Sequence, residues 1–405
     1  MKNRFFAPVD ILIPIGVSFE KWSVIACDQF TSEPEYWQRV QALVGDSEST
    51  LNLIIPEAFL GEVDQDSSAE NIYNVMASYL ERNMFEEYKE SFVFVKRVLP
   101  GGKARFGLVG AVDLEYYDFR EDSKPLIRAS EKTVVSRLPA RIAVREKAQI
   151  ELPHIMALIN DKNSRFFAEI NKLAQSCEAV YDFDLMENGG SIQGRVLSGE
   201  NAEKGMMALD TALERQEIKV VIGDGNHSLA AAKVYWDELK KTLSEQECVH
   251  HPARFALLEL NCVYDEAIEF HAINRVVFCR EFDALQNELR EKLKSGGDYH
   301  ISWMSQEGEG VIGISAACIG DMLDEFQGIL DGFEEKTGCE IDYIHGDDAV
   351  RALVKQRGGI GFILPPMDKK DLFETVALRG VFPKKSFSIG HAHEKRYYLE
   401  CRKIR

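Results

Sequence analysis

No stretch of this 405-residue chain approaches the roughly 18–20 consecutive apolar residues that a membrane-spanning helix requires. The start, Met1-Lys-Asn-Arg-Phe-Phe-Ala-Pro8, is basic but lacks the apolar run of a secretory signal. Cysteine pairing is missing as well. The eight cysteines (27, 177, 248, 262, 279, 318, 339 and 401) are scattered, with no Cys-x-x-Cys, and read as reduced, mostly buried thiols. Basic charge is scarce: 48 Lys and Arg face 66 Asp and Glu, a formal net charge of −18. Such a surface repels nucleic-acid backbones and anionic lipid, but leaves room for a small anion held by a local cluster of bases. There is no Walker-type Gly-x-x-x-x-Gly-Lys-Ser/Thr, no internal repeat and no low-complexity tract. The expectation is a soluble cytoplasmic protein with neither membrane nor nucleic acid as partner.

What is present concentrates in Lys219-Val-Val-Ile-Gly-Asp-Gly-Asn-His-Ser-Leu-Ala-Ala-Ala-Lys233. A β-branched run stops at Gly223-Asp224-Gly225, and an Ala-rich helix follows at once. The glycines let the backbone bend sharply and approach a ligand closely. The first N–H groups of the new helix then suit an anion, most often a phosphate. Asp224, Asn226, His227 and Ser228 bring acid, amide, imidazole and hydroxyl to the same turn. The same residues also make a plain strand-to-helix turn capped by Asn226 or Ser228. Gly308-Glu-Gly-Val-Ile-Gly313 fits the dinucleotide glycine pattern but runs into a strand-like segment, and is set aside.

With 45% hydrophobic residues, the length suggests two or three domains around an ample core. Periodicity predicts helices at 33–44, 68–87, 161–175, 203–216, 228–243, 281–294, 320–335, 346–357 and 368–379. Strands are expected at 92–99 and 104–112 around Pro100-Gly-Gly-Lys103, and at 253–263, 273–279, 311–317, 359–364 and 396–403. Strict βα alternation is absent, which argues α+β (mixed α/β) architecture. The expected division is an amino-terminal lobe at 1–140, a central lobe at 141–280 carrying the bend, and a carboxy-terminal lobe at 281–405.

Five ordered motifs carry a resemblance. They are Ala26-Cys-Asp-Gln-Phe-Thr-Ser32 with Pro34-Glu-Tyr-Trp37, Ile127-Arg-Ala-Ser-Glu-Lys-Thr133 with Arg137, the Gly223–Ala232 turn, Asn274-Arg-Val-Val277, and Phe382-Pro-Lys-Lys-Ser-Phe387. Together they resemble the domain-of-unknown-function family 1015 over nearly the whole chain, a likeness that implies no particular reaction. The central turn also resembles that of the ParB/sulfiredoxin-like superfamily, which includes partition nucleotidases, sulfiredoxin and free-serine kinases. That likeness implies a nucleotide phosphate at the helix start. Asn226 stands where sulfiredoxin has its reactive cysteine, which argues against sulfinic-acid repair. Ser228 replaces the usual arginine, so one phosphate contact is either lost or supplied elsewhere, with Lys233, Arg275 and the Lys384–Lys385 pair as candidates.

The resulting expectation is a phosphotransferase or phosphohydrolase acting on a small metabolite, with a serine- or phosphoserine-like substrate implied by the kinase resemblance. Asp224, His227 and Glu131 are the candidate catalytic residues. Gly223, Gly225, Asn226, Ser228, Arg128, Lys132, Arg275, Lys384 and Lys385 are the candidates for binding phosphate or substrate. Asp224 would hold Mg²⁺ brought by ATP, ADP or CTP. The alternatives are a non-catalytic nucleotide sensor and a nucleic-acid-associated adaptor. Cys27, with no cationic neighbour, reads as a buried thiol, Asp28 as an acid able to turn inward, and His391-Ala-His393 as a conceivable Zn²⁺ pair.

Overall fold

In the computed structural model, which describes residues 4–60, 65–279 and 282–405, the β-branched run Val220–Asp224 forms a strand. Its side chains alternate between two cores. Val220 and Ile222 pack with Leu229, Ala232 and Trp236 of the helix Asn226–Leu239. Val221 packs with Leu372 and Val376 of the helix Lys369–Arg379. A strand covered on both faces accounts for the unbroken apolar run in the sequence.

Among the described residues this strand belongs to an eleven-stranded mixed sheet. It runs parallel to Ile127–Ala129 on one side and antiparallel to Met156–Ile159 on the other. Phe255–Cys262 follows, parallel to Met156–Ile159 and antiparallel to Ala104–Asp113. The expected turn at 100–103 joins Phe85–Val98 to Ala104–Asp113, and a second hairpin joins Ala179–Asp184 to Ser191–Leu197. A six-stranded antiparallel sheet has Phe270–Phe278 and Ile360–Ile363 at its centre. Its helices Ile319–Thr337 and Lys369–Arg379 share one core with Met156, Leu158 and Val221 of the larger sheet. The strands of the larger sheet lie between residues 6 and 262, those of the smaller between 270 and 389.

The two sheets meet at the bend. A Cβ on Gly223 would come within 2.6 Å of Ile389 Cδ1, so glycine there permits the close approach of the Phe387–Ile389 strand. Beyond that strand the chain returns across the larger sheet. Tyr397 bridges Ile25, Cys401 bridges Leu12, and Arg402–Lys403 pairs with Ile150–Glu151.

The architecture is mixed α/β, as the pattern of elements implies. Gly308–Gly313 falls in the strand Glu309–Ile314 and leads into no dinucleotide-type helix. Three local expectations are corrected. The helix placed at 68–87 ends at Glu81, because Asn83 takes a left-handed φ of 52° and Phe85 already starts a strand. The strand placed at 396–403 shrinks to Arg402–Lys403, since the buried Arg396 and Glu400 bind each other and side chains elsewhere. The segment 126–158, which reads in the sequence as a mix of extended and charged pieces, holds the helix Leu138–Lys147 and the start of the strand Met156–Ile159. Residue 281, at the start of an expected helix, and the side chain of Arg137 lie outside the described residues. Among the described residues no helix is long and apolar enough to cross a membrane.

Candidate active site at the strand-to-helix bend

Gly225 turns the chain from strand to helix with φ +80°, and a Cβ there would meet Ile155 Cγ1 at 2.9 Å. Its carbonyl accepts the Ser228 and Leu229 N–H groups at 3.0 and 3.1 Å, closing the first helical turn. Asn226 and His227 face away from that ladder with their side chains committed to a neighbouring segment. Asn226 Oδ1 accepts the Ser130 N–H at 3.1 Å, and its Nδ2 donates to Ser130 Oγ at 3.0 Å. His227 Nε2 accepts the Val134 N–H at 3.1 Å, which places the ring proton of the neutral imidazole on Nδ1. These two residues dock the 127–134 segment onto the helix start, so they position the site.

That docking brings Glu131 to Asp224. Glu131 pairs in bridge geometry with Phe382, and its Oε1 accepts the Ser386 N–H at 3.2 Å. Lys385 and Phe387 N–H groups point at the same carboxylate. Burial pushes the Glu131 carboxyl up to about 7; the backbone donors oppose this, and the Asp224 charge adds to it. Asp224 goes the other way. Burial works to raise its pKa, but Lys395 Nζ, 3.0 Å from Oδ2, prevails, and His154 assists. Its Oδ1 accepts the Gly225 N–H at 2.9 Å. Two carboxyls within electrostatic reach are thus driven in opposite directions.

Lys395 is buried and rigidly held. Arg97 donates to the carbonyls of Gly189, His393, Glu394 and Lys395, and Arg105 to that of Glu394. Next in line, Arg396 binds Glu259 at 3.0 Å and Glu400 at 2.5 Å, and Tyr181 donates to Glu400. Histidines gather beside Lys395. The His271 and His391 rings stack at 4.5 Å, and His393 lies 5.9 Å from His391. Burial, then the charges of Lys395, His271 and His391, holds His345 below the usual imidazole range.

The remaining predicted residues divide. Arg275 comes near Glu131, but its buried guanidinium is bound by Gln327 Oε1 at 2.8 Å and the Ile273 carbonyl, against the Tyr343 ring. Lys385 Nζ sits 4.3 Å from the centre of the same ring, and Lys384 is exposed. Arg128 is turned away: its guanidinium donates to the Pro125 and Val376 carbonyls and to Glu217, so it is no clamp at the bend. Lys132 lies on the surface in a 2.8 Å pair with Glu121. Lys233 pairs with Asp237 within its own helix.

Sequence reasoning missed Lys395, His154 and His271. Lys395 follows His391-Ala-His393 by two residues, and that cluster was the available signal. Among the described residues no group of three or more His, Cys, Asp or Glu side chains is arranged to hold a metal ion, so His391 and His393 gain no third ligand. Cys27 is a buried neutral thiol, pushed up to about 12 by burial and then by Asp28.

Fold and site together define a mixed α/β protein with a paired acid and lysine at a strand-to-helix bend. The chain belongs to the family described as "Protein of unknown function (DUF1015)", whose model matches residues 15–401. No curated protein matches it. Similar solved structures include a free serine kinase mutant in complex with ADP, at 10% identity and TM-score 0.43, covering 76% of this chain and 95% of that one. Free serine kinase in complex with AMP gives 10% identity and TM-score 0.41, covering 73% and 91%. A conserved hypothetical protein from Pyrococcus furiosus gives 12% and 0.39, covering 73% and 94%.

Proposed function

We propose that the bend binds the phosphates of a nucleotide, such as ATP, ADP or CTP, or of a phosphorylated metabolite, and that a phosphoryl group is transferred or hydrolysed there. The observation that carries this reading is the pair formed by Asp224 and buried Lys395 in front of the helix Asn226–Leu239. Helix starts favour anions, and a fixed lysine beside one supplies the cation that phosphate needs. Phosphoryl transfer depends mainly on positioning and charge neutralisation.

The opposed pKa shifts support separate roles for the two carboxyls. Asp224, held ionised, suits Mg²⁺ carried in by the phosphates, an ion that needs only one or two protein carboxylates. Each Asp224 oxygen accepts one contact from Lys395 or Gly225 and keeps a lone pair for the metal. Bound Mg²⁺ would neutralise phosphate charge. Glu131, with its carboxyl near 7, suits the task of accepting the proton of a hydroxyl nucleophile. Asn226 and His227 fix the helix start, and a serine-like hydroxyl is one acceptor in keeping with the motif.

Thermal unfolding with a nucleotide panel, with and without Mg²⁺, tests the reading in the wild type, Asp224→Ala and Lys395→Ala. A ligand at 100 times its Kd adds about 2.7 kcal/mol to stability. Stabilisation with phosphate turnover, both lost in Lys395→Ala, supports the enzyme. Stabilisation without turnover makes the protein a nucleotide sensor instead. No response to any phosphate compound overturns both.

A further inference from the structure

The other flank of the same helix start opens on a cavity of about 340 Å³. Ile55, Ile72, Met76, Val144, Leu152 and Ala232 form apolar walls, beside the Arg141–Glu57 and Arg145–Glu151 ion pairs, which with Asp28 also line the space. One end is polar. Ser228 Oγ lies 3.2 Å from His154 Nε2, and His154 Nδ1 lies 3.0 Å from Tyr398 Oη. Tyr398 donates in turn to Cys27 Sγ at 3.2 Å, and the Cys27 N–H reaches Tyr398 Oη at 3.4 Å. Burial keeps both the thiol and the phenol un-ionised. The result is a line of hydroxyl, imidazole, phenol and thiol, each able to donate or accept, ending among aliphatic side chains. The phosphate chemistry proposed for the bend makes no use of those walls.

We infer that this cavity is a binding site for a small amphipathic alcohol, with its aliphatic body against the apolar walls and its hydroxyl at the polar end formed by Ser228, His154 and Tyr398. The volume lies at the lower end of the ~300–1,000 Å³ typical of small-molecule sites. At ~30 Å³ for each water-sized group it holds on the order of ten heavy atoms. A single hydroxyl finds both a donor and an acceptor at the polar end. The inference concerns binding alone and stands whether or not the bend takes phosphate.

Calorimetric titration with straight-chain primary alcohols, from butanol to decanol, is the test. Affinity should rise about fourfold with each methylene and stop rising once the cavity is full. Ser228→Ala should weaken octanol binding several-fold, the size of one lost hydrogen bond. Ala232→Phe fills the interior. Should that variant fail to fold, Ala69→Trp plugs the same space from the partly exposed rim. Either plug should weaken octanol binding at least tenfold while leaving any stabilisation by ADP in place. Affinity that is flat with chain length, or untouched by a folded plug variant, overturns the inference. An intact alcohol series in a protein that ignores ADP would instead remove the phosphate reading alone.

Discussion

The first turn of the helix Asn226–Leu239 has two unlike flanks. On one, Asp224, Lys395 and Glu131 meet among buried charges; on the other, mostly aliphatic walls line a half-open cavity whose charged side chains include the Arg141–Glu57 and Arg145–Glu151 pairs. The difference teaches how each kind of surface is held. The charged flank needs a deep support. Lys395 is fixed through carbonyls bound by Arg97 and Arg105, and those cations, with Arg396 beside them, face the carboxylates of Glu259 and Glu400. Buried ion pairs contribute little net stability, so their return here is position. The more apolar flank carries its charges as local pairs, Arg141 with Glu57 and Arg145 with Glu151, with no comparable chain of buried arginines beneath it. His154 touches both flanks, bonded to Ser228 and Tyr398 on one and within electrostatic reach of Asp224 on the other.

The comparison can be broken at several points. Replacing Glu131 with Gln removes the proposed proton acceptor. Phosphoryl transfer should fall by ~10²–10⁴-fold, measured as initial rates, with alcohol binding on the other flank unchanged. Glu259→Ala strips the support beneath Lys395 and leaves Arg396 short of one partner. Urea unfolding should show a loss of about 3–5 kcal/mol.

The Glu131 carboxyl also gives the charged flank a pH signature. Its folded pKa of about 7 lies above the ordinary 4.5, so the folded state holds the proton that the unfolded state releases between those values. Its contribution to stability should therefore decline as pH rises from 4.5 to 7, by up to ~1.4 kcal/mol per pH unit. Glu131→Gln should flatten that part of the stability profile. The smallest effect belongs to a residue that the sequence placed in the site. Lys132→Ala should change stability by no more than ~0.5 kcal/mol, because its pair with Glu121 is exposed.

Much of this was legible in residue order. The turn at Gly223–Gly225 is forced by glycine after a β-branched run, and its place in front of a helix follows from the Ala-rich segment. Whether the 127–133, 224–228 and 382–387 motifs meet was not legible in the sequence, and it is the contacts of Glu131 and Asn226 that join them. Side-chain direction was not legible. Arg128 and Lys132 read as one anion clamp, yet Arg128 points under the sheet toward Val376 and Lys132 points to solvent. Lys395 stands far from the bend in sequence and owes its place to the returning carboxy-terminal strap. No local pattern announces a contact of that kind. The cavity is equally non-local, since helix 65–81, strand Ile150–Glu151 and Tyr398 each supply part of its lining.

The central claim is that Lys395 and the helix start together hold phosphate. Calorimetric titration of ADP with Mg²⁺ into the wild type and into Lys395→Met measures this directly. The account predicts binding to the wild type and a loss of at least ~10-fold in the variant, in line with a lost charge-assisted hydrogen bond. Equal affinity in the two proteins would contradict it.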